Sequence, residues 1–345
     1  MKISLVTTTV TVPRVLEQYR ALDKDVTIIV AGDDIDPETE RAIDAFCAGI
    51  DARYLSYAEQ ASLDYAVHDV IGPLSIQRRN VAILEAIRSG ADIVVTVDDD
   101  NEPAERGYFA HIRAALRDSI VGPCVRYGNS GWFNPGAFSL PPYSYRGFPY
   151  SLRPQLPDAP LPSVTFSARR IGVLNGLVEG DPDINATERI EIGPLVHGYD
   201  VPFQDIAVHP SVAWAPINSQ NTAYVRELTP LMAVLPGVGR YDDIFGSFIA
   251  QRVLMDTDWH VAFGQPFVRQ ERHPHDLLRD LEQEMFGMRY TERFVDDLKV
   301  MDLWGESTIL GKLERVYHGI ARLDYMPGIV AEFGYAWLND VEKVL

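Results

Sequence analysis

Alternating strand and helix patterns in the first hundred residues constrain the fold of this chain most. Runs of β-branched and apolar residues predict three strands, at 3–9, 25–31 and 93–97. Helical patterns lie between them, at 13–19, 37–46 and 75–89. Strands that alternate with helices in this order form a parallel sheet with helices on both faces. We therefore expect an α/β fold built on a doubly wound sheet.

The rest of the chain predicts less regular structure, followed by helices. Gly, Pro and aromatic residues dominate 122–162, which predicts a long irregular insertion, and short strands broken by proline follow over 164–240. A helix over 242–255 and a strand near 260–263 come next. Helical spacing of apolar residues from 276 to 345 predicts an extension that packs on the core or pairs two subunits as a homo-oligomer. We divide the chain into a catalytic domain, 1–275, and this helical extension, 276–345.

Charge and cysteine content limit the partners and the compartment. The 345 residues carry 31 Lys and Arg against 49 Asp and Glu, a net charge of −18, which argues against nucleic acid as a partner. Two cysteines are too few for a disulfide framework. The sequence shows no membrane span and no signal peptide, so we expect a cytoplasmic protein. An acidic chain that binds a small anion needs local positive charge, from a metal ion or from arginines.

Polar residues follow each of the three predicted strands. Ligands of doubly wound sheets bind at the carboxyl ends of the strands. Candidate ligand-binding residues at these ends are Thr7, Thr9, Asp33, Asp34 and Asp99. Arg78 and Arg79 open the helix before the third strand, where an arginine could reach a nucleotide. A plain surface role for these two arginines remains equally open.

Three consecutive aspartates, Asp98 to Asp100, follow the third strand. Carboxylates this close repel one another unless a cation lies between them. Asp98 and Asp100 lie on the same side of an extended segment, so both can bind one Mg²⁺ or Mn²⁺ ion. The alternative interpretation is an exposed acidic turn that caps the next helix.

Three further segments carry candidate functional residues. In YRGFPYSLR, Arg146 and Arg153 flank aromatic residues, and their guanidinium groups suit phosphate or carboxylate, although the segment can also be a surface loop. In GRYDDIFGSF, one of Asp242 and Asp243 can serve as a base or bind a sugar hydroxyl, or both can simply favour the helix dipole. In RQERHPHD, His273, or alternatively His275, can supply an imidazole to the metal, or both can face solvent.

These motifs resemble known families. VVTVDDDN is similar to the metal-binding motif of nucleotide-sugar glycosyltransferases of the GT-A fold. RGFPYSLR and GRYDDIFGSF resemble, in order and spacing, the reversibly glycosylated polypeptides, which are UDP-arabinopyranose mutases. SVAWAPINSQNTAYVREL, at 211–228, adds weaker similarity between them. The resemblance extends over about residues 1–275.

The resemblance implies a GT-A-like doubly wound mixed sheet with a C-terminal helical appendage. It also implies a flavin-free isomerase that binds a nucleotide sugar, of the UDP-arabinose or GDP-galactose type, and interconverts its pyranose and furanose rings. Arg146 would be the site of sugar attachment, with Arg153 also needed. Thr7, Thr9, Asp33, Asp34, Arg78, Arg79 and Asp99 would contact the substrate. Asp98, Asp100 and His273 would bind Mn²⁺ or Mg²⁺.

Two questions stay open at the level of sequence. Arg146 either attacks the sugar carbon after losing a proton to Asp242 or Asp243, or stays charged and clamps the diphosphate. The chain is predicted to be a mutase, with a metal-dependent glycosyltransferase that moves the sugar to a separate acceptor as the alternative. A self-glycosylated or nucleotide-sugar-binding scaffold without turnover is the third hypothesis.

Overall fold

The computed structural model describes residues 1–116, 120–126, 131–153, 163–193, 195–199, 206–208, 213–271 and 276–345, of which 120–126, 163–169 and 206–208 are described by their backbone only. The strands in these ranges are β1 (Ile3–Thr8), β2 (Thr27–Ala31), β3 (Arg53–Leu55), β4 (Ile93–Val97), β5 (Asn101–Pro103), β6 (Ile120–Arg126), β7 (Ser163–Gly180), β8 (Ile206–Val208), β9 (Asn221–Val225) and β10 (Trp259–Gln270). The helices are α1 (Leu16–Leu22), α2 (Pro37–Gly49), α3 (Tyr57–Ala61), α4 (Ala66–Ile71), α5 (Arg79–Arg88), α6 (Tyr108–Ala115), α7 (Ala186–Ile192), α8 (Asp242–Leu254), α9 (Leu277–Val300), α10 (Ile309–Ile320) and α11 (Gly328–Val344).

The strands form one mixed sheet. Its order is β3-β2-β1-β4-β9-β7-β6-β8-β10-β5, with a further pairing of β7 and β10. β1 to β4 run parallel, whereas β9 is antiparallel to both β4 and β7. This confirms the predicted α/β fold with a doubly wound, mixed sheet.

The amino-terminal half of the sheet follows directly from its sequence pattern. β1 and β4 are buried along their whole length, as continuous apolar runs in central parallel strands require. α5 packs on β1 and β2 and is buried on nearly every side. Asp36 caps α2 by accepting the backbone N–H groups of Glu38 and Thr39, which fixes where that helix begins. Local signals therefore place each of these elements.

The carboxyl-terminal half of the sheet differs from the sequence prediction. The prediction of short strands over 164–240 is confirmed for β8 and β9 but is wrong for β7, which has 18 residues. The strand predicted near 260–263 is present but longer than expected, because β10 has 12 residues and pairs with β7. Glycines within β7 interrupt the run of β-branched and apolar residues that predicts a strand. At Gly176 a glycine is required, because a Cβ atom there would lie 2.3 Å from the carbonyl oxygen of Pro266. β6 also occupies 120–126, so the irregular insertion begins later than expected.

The C-terminal helices pack on the core. α9 contacts α7 and α8, α10 contacts α8, and α11 contacts α4 and α5. Trp337 of α11 is fully buried and donates a hydrogen bond to the carbonyl oxygen of Pro230 at 2.7 Å. The division of the chain into a catalytic domain and a helical extension at residue 275 stays a prediction, as does the formation of a homo-oligomer. None of the helices in the described ranges combines the length and apolar character of a bilayer span.

Candidate active site

A cleft of about 550 Å³ lies beside the carboxyl end of β4. Its described lining holds six carboxylates and three guanidinium groups among neutral side chains. The charged residues are Asp98, Asp99, Asp100, Asp183, Asp242, Asp243, Arg79, Arg146 and Arg240. The structure thus brings three separate sequence motifs to one place, namely the acidic triplet, the segment around Arg146 and the start of α8.

Side chains from three other parts of the chain donate hydrogen bonds to the acidic triplet. Asp98 accepts a hydrogen bond from Nη2 of Arg79 at 2.6 Å, and Asp100 accepts from Nε2 of Gln270 at 3.1 Å. Asp99 accepts from the hydroxyl of Thr9. Burial raises the pKa of Asp99, the charges of Asp98 and Asp100 add to this effect, and the Thr9 hydrogen bond opposes it. The triplet is therefore an organised part of the cleft rather than an exposed acidic turn.

The oxygen atoms of Asp98 and Asp100 are the hard donors that Mg²⁺ and Mn²⁺ prefer, so this donor set suits the predicted ion. In the described ranges, however, no group of three or more His, Cys, Asp or Glu side chains is arranged to hold a metal. The predicted third ligand, His273, and its alternative, His275, lie outside the described residues. The metal site stays a prediction.

Arg146 is buried, lines the cleft and forms an ion pair with Asp183. Its Nε lies 2.8 and 2.9 Å from the two carboxylate oxygens of Asp183, and its Nη2 lies 2.6 Å from one of them. Nη2 also lies 3.4 Å from Oδ1 of Asp243. Burial opposes the charge of Arg146, but attraction from Asp183 and Asp243 prevails and raises its pKa well above the ordinary value. Nη1 is buried and has no hydrogen-bond partner within the described part of the chain.

Asp242 and Asp243 begin α8 and have different surroundings. Asp243 accepts from the backbone N–H of Ser219 at 2.8 Å and from its hydroxyl at 2.9 Å. Asp242 accepts from Nε2 of Gln77 at 2.8 Å. Burial, followed by the charge of Asp243, raises the pKa of Asp242 to about 7. A carboxyl group that titrates near neutral pH suits proton transfer.

One hydrogen-bond path joins the two ends of the cleft. Arg79 donates to Asp98 and, through Nη1, to the hydroxyl of Ser219 at 2.6 Å. Ser219 in turn donates to Asp243. Arg79 is 2% exposed, and attraction from Asp98 outweighs burial and raises its pKa. It therefore sits as a fixed positive charge between the two acidic groups.

The structure does not bring every predicted residue to the cleft. Arg78 points into the fold, where its guanidinium group contacts Nδ1 of His68 at 2.7 Å and the carbonyl oxygen of Gly72 through Nε at 2.9 Å. Arg153 donates to the hydroxyl of Thr187 at 2.9 Å and stacks on Tyr150. Neither arginine belongs to the described cleft lining. Arg78 satisfies its buried guanidinium group within the fold, whereas Nε and Nη2 of Arg153 are buried without a hydrogen-bond partner in the described part of the chain.

Residues at the ends of β1 and β2 also lie behind the cleft surface. Thr7 is fully buried, and Thr9 is connected to the cleft by the hydrogen bond that its hydroxyl donates to Asp99. Asp33 is buried, and its two oxygens accept the backbone N–H groups of Leu74 and Ser75, each at 2.7 Å, while Asp34 is exposed. Asp33 therefore shapes the cleft by holding the loop that carries Leu74 and Ser75, both of which line it.

Several cleft residues were missed at the level of sequence. None of four such residues was singled out, although each hydrogen-bonds a predicted site residue: Asp183, Gln77, Ser219 and Gln270. Ser219 lies in the segment 211–228 and Gln270 in RQERHPHD, but neither was given a function there. Asp183 had one weak signal, a Gly-Asp-Pro-Asp turn directly after a strand. Its pairing with Arg146 spans 37 residues, and nothing in the local pattern indicates that contact.

Comparison with known proteins indicates a glycosyltransferase relationship. The probable glycosyltransferase STELLO2 of Arabidopsis thaliana is 25% identical over an alignment of 248 residues, and the match covers 67% of this chain and 32% of that protein. The chain therefore spans about a third of the length of this curated relative. No protein-family model matches the chain.

Solved structures give a weaker similarity. S. aureus TarS 1–349 and its complex with UDP align over the whole of this chain and 90% of theirs, with 13% and 12% identity and TM-scores of 0.41. Our assignment of the fold rests on the strand order described above.

The prediction of an isomerase is wrong. The curated relative is a probable glycosyltransferase, which is a transferase, and the mutase resemblance of the two short motifs is not supported by it. The chain is distantly similar in sequence to a probable glycosyltransferase. Motifs as short as RGFPYSLR report a local arrangement of residues, and several reactions can use the same arrangement.

Proposed function

We propose that this protein transfers a sugar from a nucleoside-diphosphate sugar to a hydroxyl group of a separate acceptor. One observation carries the proposal: a single cleft joins the acidic triplet, the Arg146–Asp183 pair and the carboxyls of Asp242 and Asp243. The relationship to a probable glycosyltransferase supports it. The UDP that accompanies one of the TarS structures illustrates the class of donor nucleotide intended here.

Charge in the cleft indicates how a diphosphate would be held. The described lining has more carboxylates than guanidinium groups, so a diphosphate needs an added cation. Asp98 and Asp100 would bind Mn²⁺ or Mg²⁺, and that ion would stabilise the charge of the departing diphosphate. Arg79 fixes Asp98 in place, and Gln270 fixes Asp100, so both carboxylates are oriented before a ligand arrives.

Asp242 is the proposed general base. Transfer requires a group that takes the proton of the acceptor hydroxyl as that oxygen attacks the sugar carbon. The Gln77 hydrogen bond orients the carboxylate of Asp242, and its pKa of about 7 leaves much of it ionised at neutral pH. Asp243 is already engaged by Ser219 and lies next to Arg146, so we assign it an electrostatic and orienting part.

Arg146 is proposed to act as a fixed cation and not as a nucleophile. A nucleophilic guanidine must lose a proton, and the neighbouring Asp183 and Asp243 make that loss harder by raising the pKa of Arg146. A charged guanidinium group at the cleft can instead stabilise negative charge on the phosphate groups. This favours the clamp over covalent attachment of the sugar.

The test is a donor and acceptor panel with purified protein and Mn²⁺. UDP- and GDP-linked pentoses and hexoses are incubated with and without simple glycosides, and the products are separated by chromatography. We expect release of nucleoside diphosphate that rises at least about tenfold when an acceptor is added. Conversion of a nucleotide sugar into its ring isomer without any acceptor would contradict the proposal. Stoichiometric labelling of the protein without product would support a scaffold instead.

A further inference from the structure

We propose that Glu284, on the C-terminal helix α9, is a positioning residue that orients Arg146 and Asp183 at the cleft. The inference rests on the proposed function, because it assigns Glu284 an effect on the same reaction. Glu284 is 1% exposed and does not belong to the described cleft lining. It therefore acts through the residues that it contacts.

Glu284 anchors the beginning of α7. Its Oε2 accepts the backbone N–H of Ala186, the first residue of that helix, at 2.8 Å. The first N–H groups of a helix have no partner within the helix, so an outside acceptor fixes where the helix starts. Asp183 lies three residues before Ala186, and its position depends on this anchor.

The start of α7 in turn holds the segment that carries Arg146. The carbonyl oxygen of Asp183 accepts the backbone N–H of Arg146 at 3.1 Å, in addition to the contacts between their side chains. Glu188 accepts the backbone N–H of Ser144 at 3.0 Å. Tyr145 forms a β-bridge with Ile184 between these two contacts. The two segments therefore move as one unit.

Glu284 also contacts the loop that leads into α8. Its Oε1 lies 3.4 Å from Nε of Arg240, a cleft residue two positions before Asp242. The loop lies directly against α9: Gly239 has a φ of +64°, and a Cβ there would lie 2.0 Å from the carbonyl oxygen of Gln283. One buried carboxylate thus contacts the start of α7, which holds Arg146 through Asp183, and the loop that leads to Asp242.

Two substitutions separate the two contacts of Glu284. Glu284→Gln removes one of the two carboxylate charges beside Arg240, the other being that of Asp280, yet its amide oxygen can still accept the Ala186 N–H. Glu284→Ala removes both contacts. Glu282→Gln and Glu282→Ala are matched controls, because Glu282 is an exposed residue of the same helix. Thermal unfolding verifies that each variant is folded.

Hydrogen–deuterium exchange tests the positioning without any ligand. Glu284→Ala should increase exchange at least about fivefold in peptides that contain Ala186, whereas Glu282→Ala should leave it unchanged. Glu284→Gln should keep most of the protection at Ala186. Unchanged exchange in folded Glu284→Ala would show that this carboxylate orders nothing and would overturn the inference.

Kinetics and UDP binding test the consequence for the reaction. We expect Glu284→Ala to lower kcat at least about tenfold and Glu284→Gln to have an intermediate effect. Wild-type kcat in a folded Glu284→Ala variant with increased exchange would overturn the positioning role. If the wild-type protein neither binds UDP or GDP nor turns over any nucleotide sugar, the proposed function fails, and the exchange experiment still decides whether Glu284 orders α7.

Discussion

The two walls of the cleft are built in different ways. One wall is the acidic triplet, which extends from the end of β4 and is placed by a short, regular strand. The other wall joins Arg146, Asp183, Asp242 and Asp243, with Glu284 behind it, and these residues lie on segments far apart in the sequence. Its contacts span 37, 97 and 98 residues. The first wall is a local feature, whereas the second exists only when the whole fold is formed.

Burial differs between the walls as well. The side chain of Asp98 is 26% exposed, whereas that of Asp183 is 3% exposed. A charge that water still reaches can be removed at little cost to folding, but the loss of one partner from a buried pair leaves the other uncompensated. Substitution of Asp100 in the first wall should therefore change activity with little effect on stability, whereas substitution of Asp98 also removes the partner of buried Arg79. Substitutions in the second wall should change activity and stability together.

The largest expected effect is loss of the predicted metal ligands, Asp98 and Asp100, in the first wall. Asp98→Asn, Asp100→Asn and treatment with EDTA should each reduce transfer roughly 1,000-fold, because several kcal/mol of charge stabilisation disappear. Calorimetry with Mn²⁺ should show weaker binding to both variants, and the melting temperature of Asp100→Asn should stay within about 3 °C of wild type. Asp34→Asn is the control, since Asp34 is exposed and outside the cleft lining. Full activity after exhaustive removal of metal would refute this prediction.

Next in size is loss of the proposed base in the second wall. Asp242→Asn should lower the rate of transfer by roughly 10²- to 10⁴-fold. In the wild type, kcat/KM should increase with pH through about 7, because the base acts when ionised. The pKa of Asp242 is raised to about 7 in the folded protein. Ionisation of this carboxyl group therefore lowers the free energy of unfolding as the pH rises to about 7, and the cost is complete above that pH. Asp242→Asn should therefore melt no lower than wild type at pH 8, and a clearly lower melting temperature would contradict this account.

Substitutions of Arg146 test whether the second wall needs its positive charge or the planar shape of its guanidinium group. Arg146→Ala should weaken UDP binding roughly tenfold and destabilise the fold by about 3 kcal/mol, because buried Asp183 loses its partner. Arg146→Lys keeps the charge and should retain measurable turnover. Calorimetry and thermal unfolding measure both effects. A sugar adduct on wild-type Arg146 in rapidly quenched samples, detected by mass spectrometry of the intact protein, would restore the nucleophile interpretation.

The smallest effect on binding is expected at Arg78, next to Arg79. Arg78→Ala should destabilise the fold by about 1 to 3 kcal/mol, because the buried carbonyl oxygen of His68 loses a donor. UDP affinity should change less than about twofold, since Arg78 does not line the cleft in the described residues. Arg79→Ala, in contrast, removes the donor to Asp98 and should weaken UDP binding. Equal effects of both substitutions on UDP affinity would refute the distinction.

The sequence by itself determined the parallel half of the sheet and the first wall of the cleft. β1, β2 and β4 are continuous apolar runs with helices between them, and that pattern admits few topologies. Asp98 to Asp100 could be placed because residues that follow a central parallel strand lie where ligands bind. The helix that begins at Asp242 was also predicted, from its acidic first turn and its spacing.

Only the tertiary structure decided the second wall. Arg78 and Arg79 are adjacent and chemically identical, yet one binds backbone carbonyls inside the fold and the other joins Asp98 to Ser219. Asp183 and Glu284 carry no motif, and their function depends on contacts with residues far away in the chain. Sequence patterns report which face of an element is apolar, because burial repeats with the period of the helix or strand. They do not report which buried carboxylate meets which guanidinium group, because that pairing depends on how the finished elements pack.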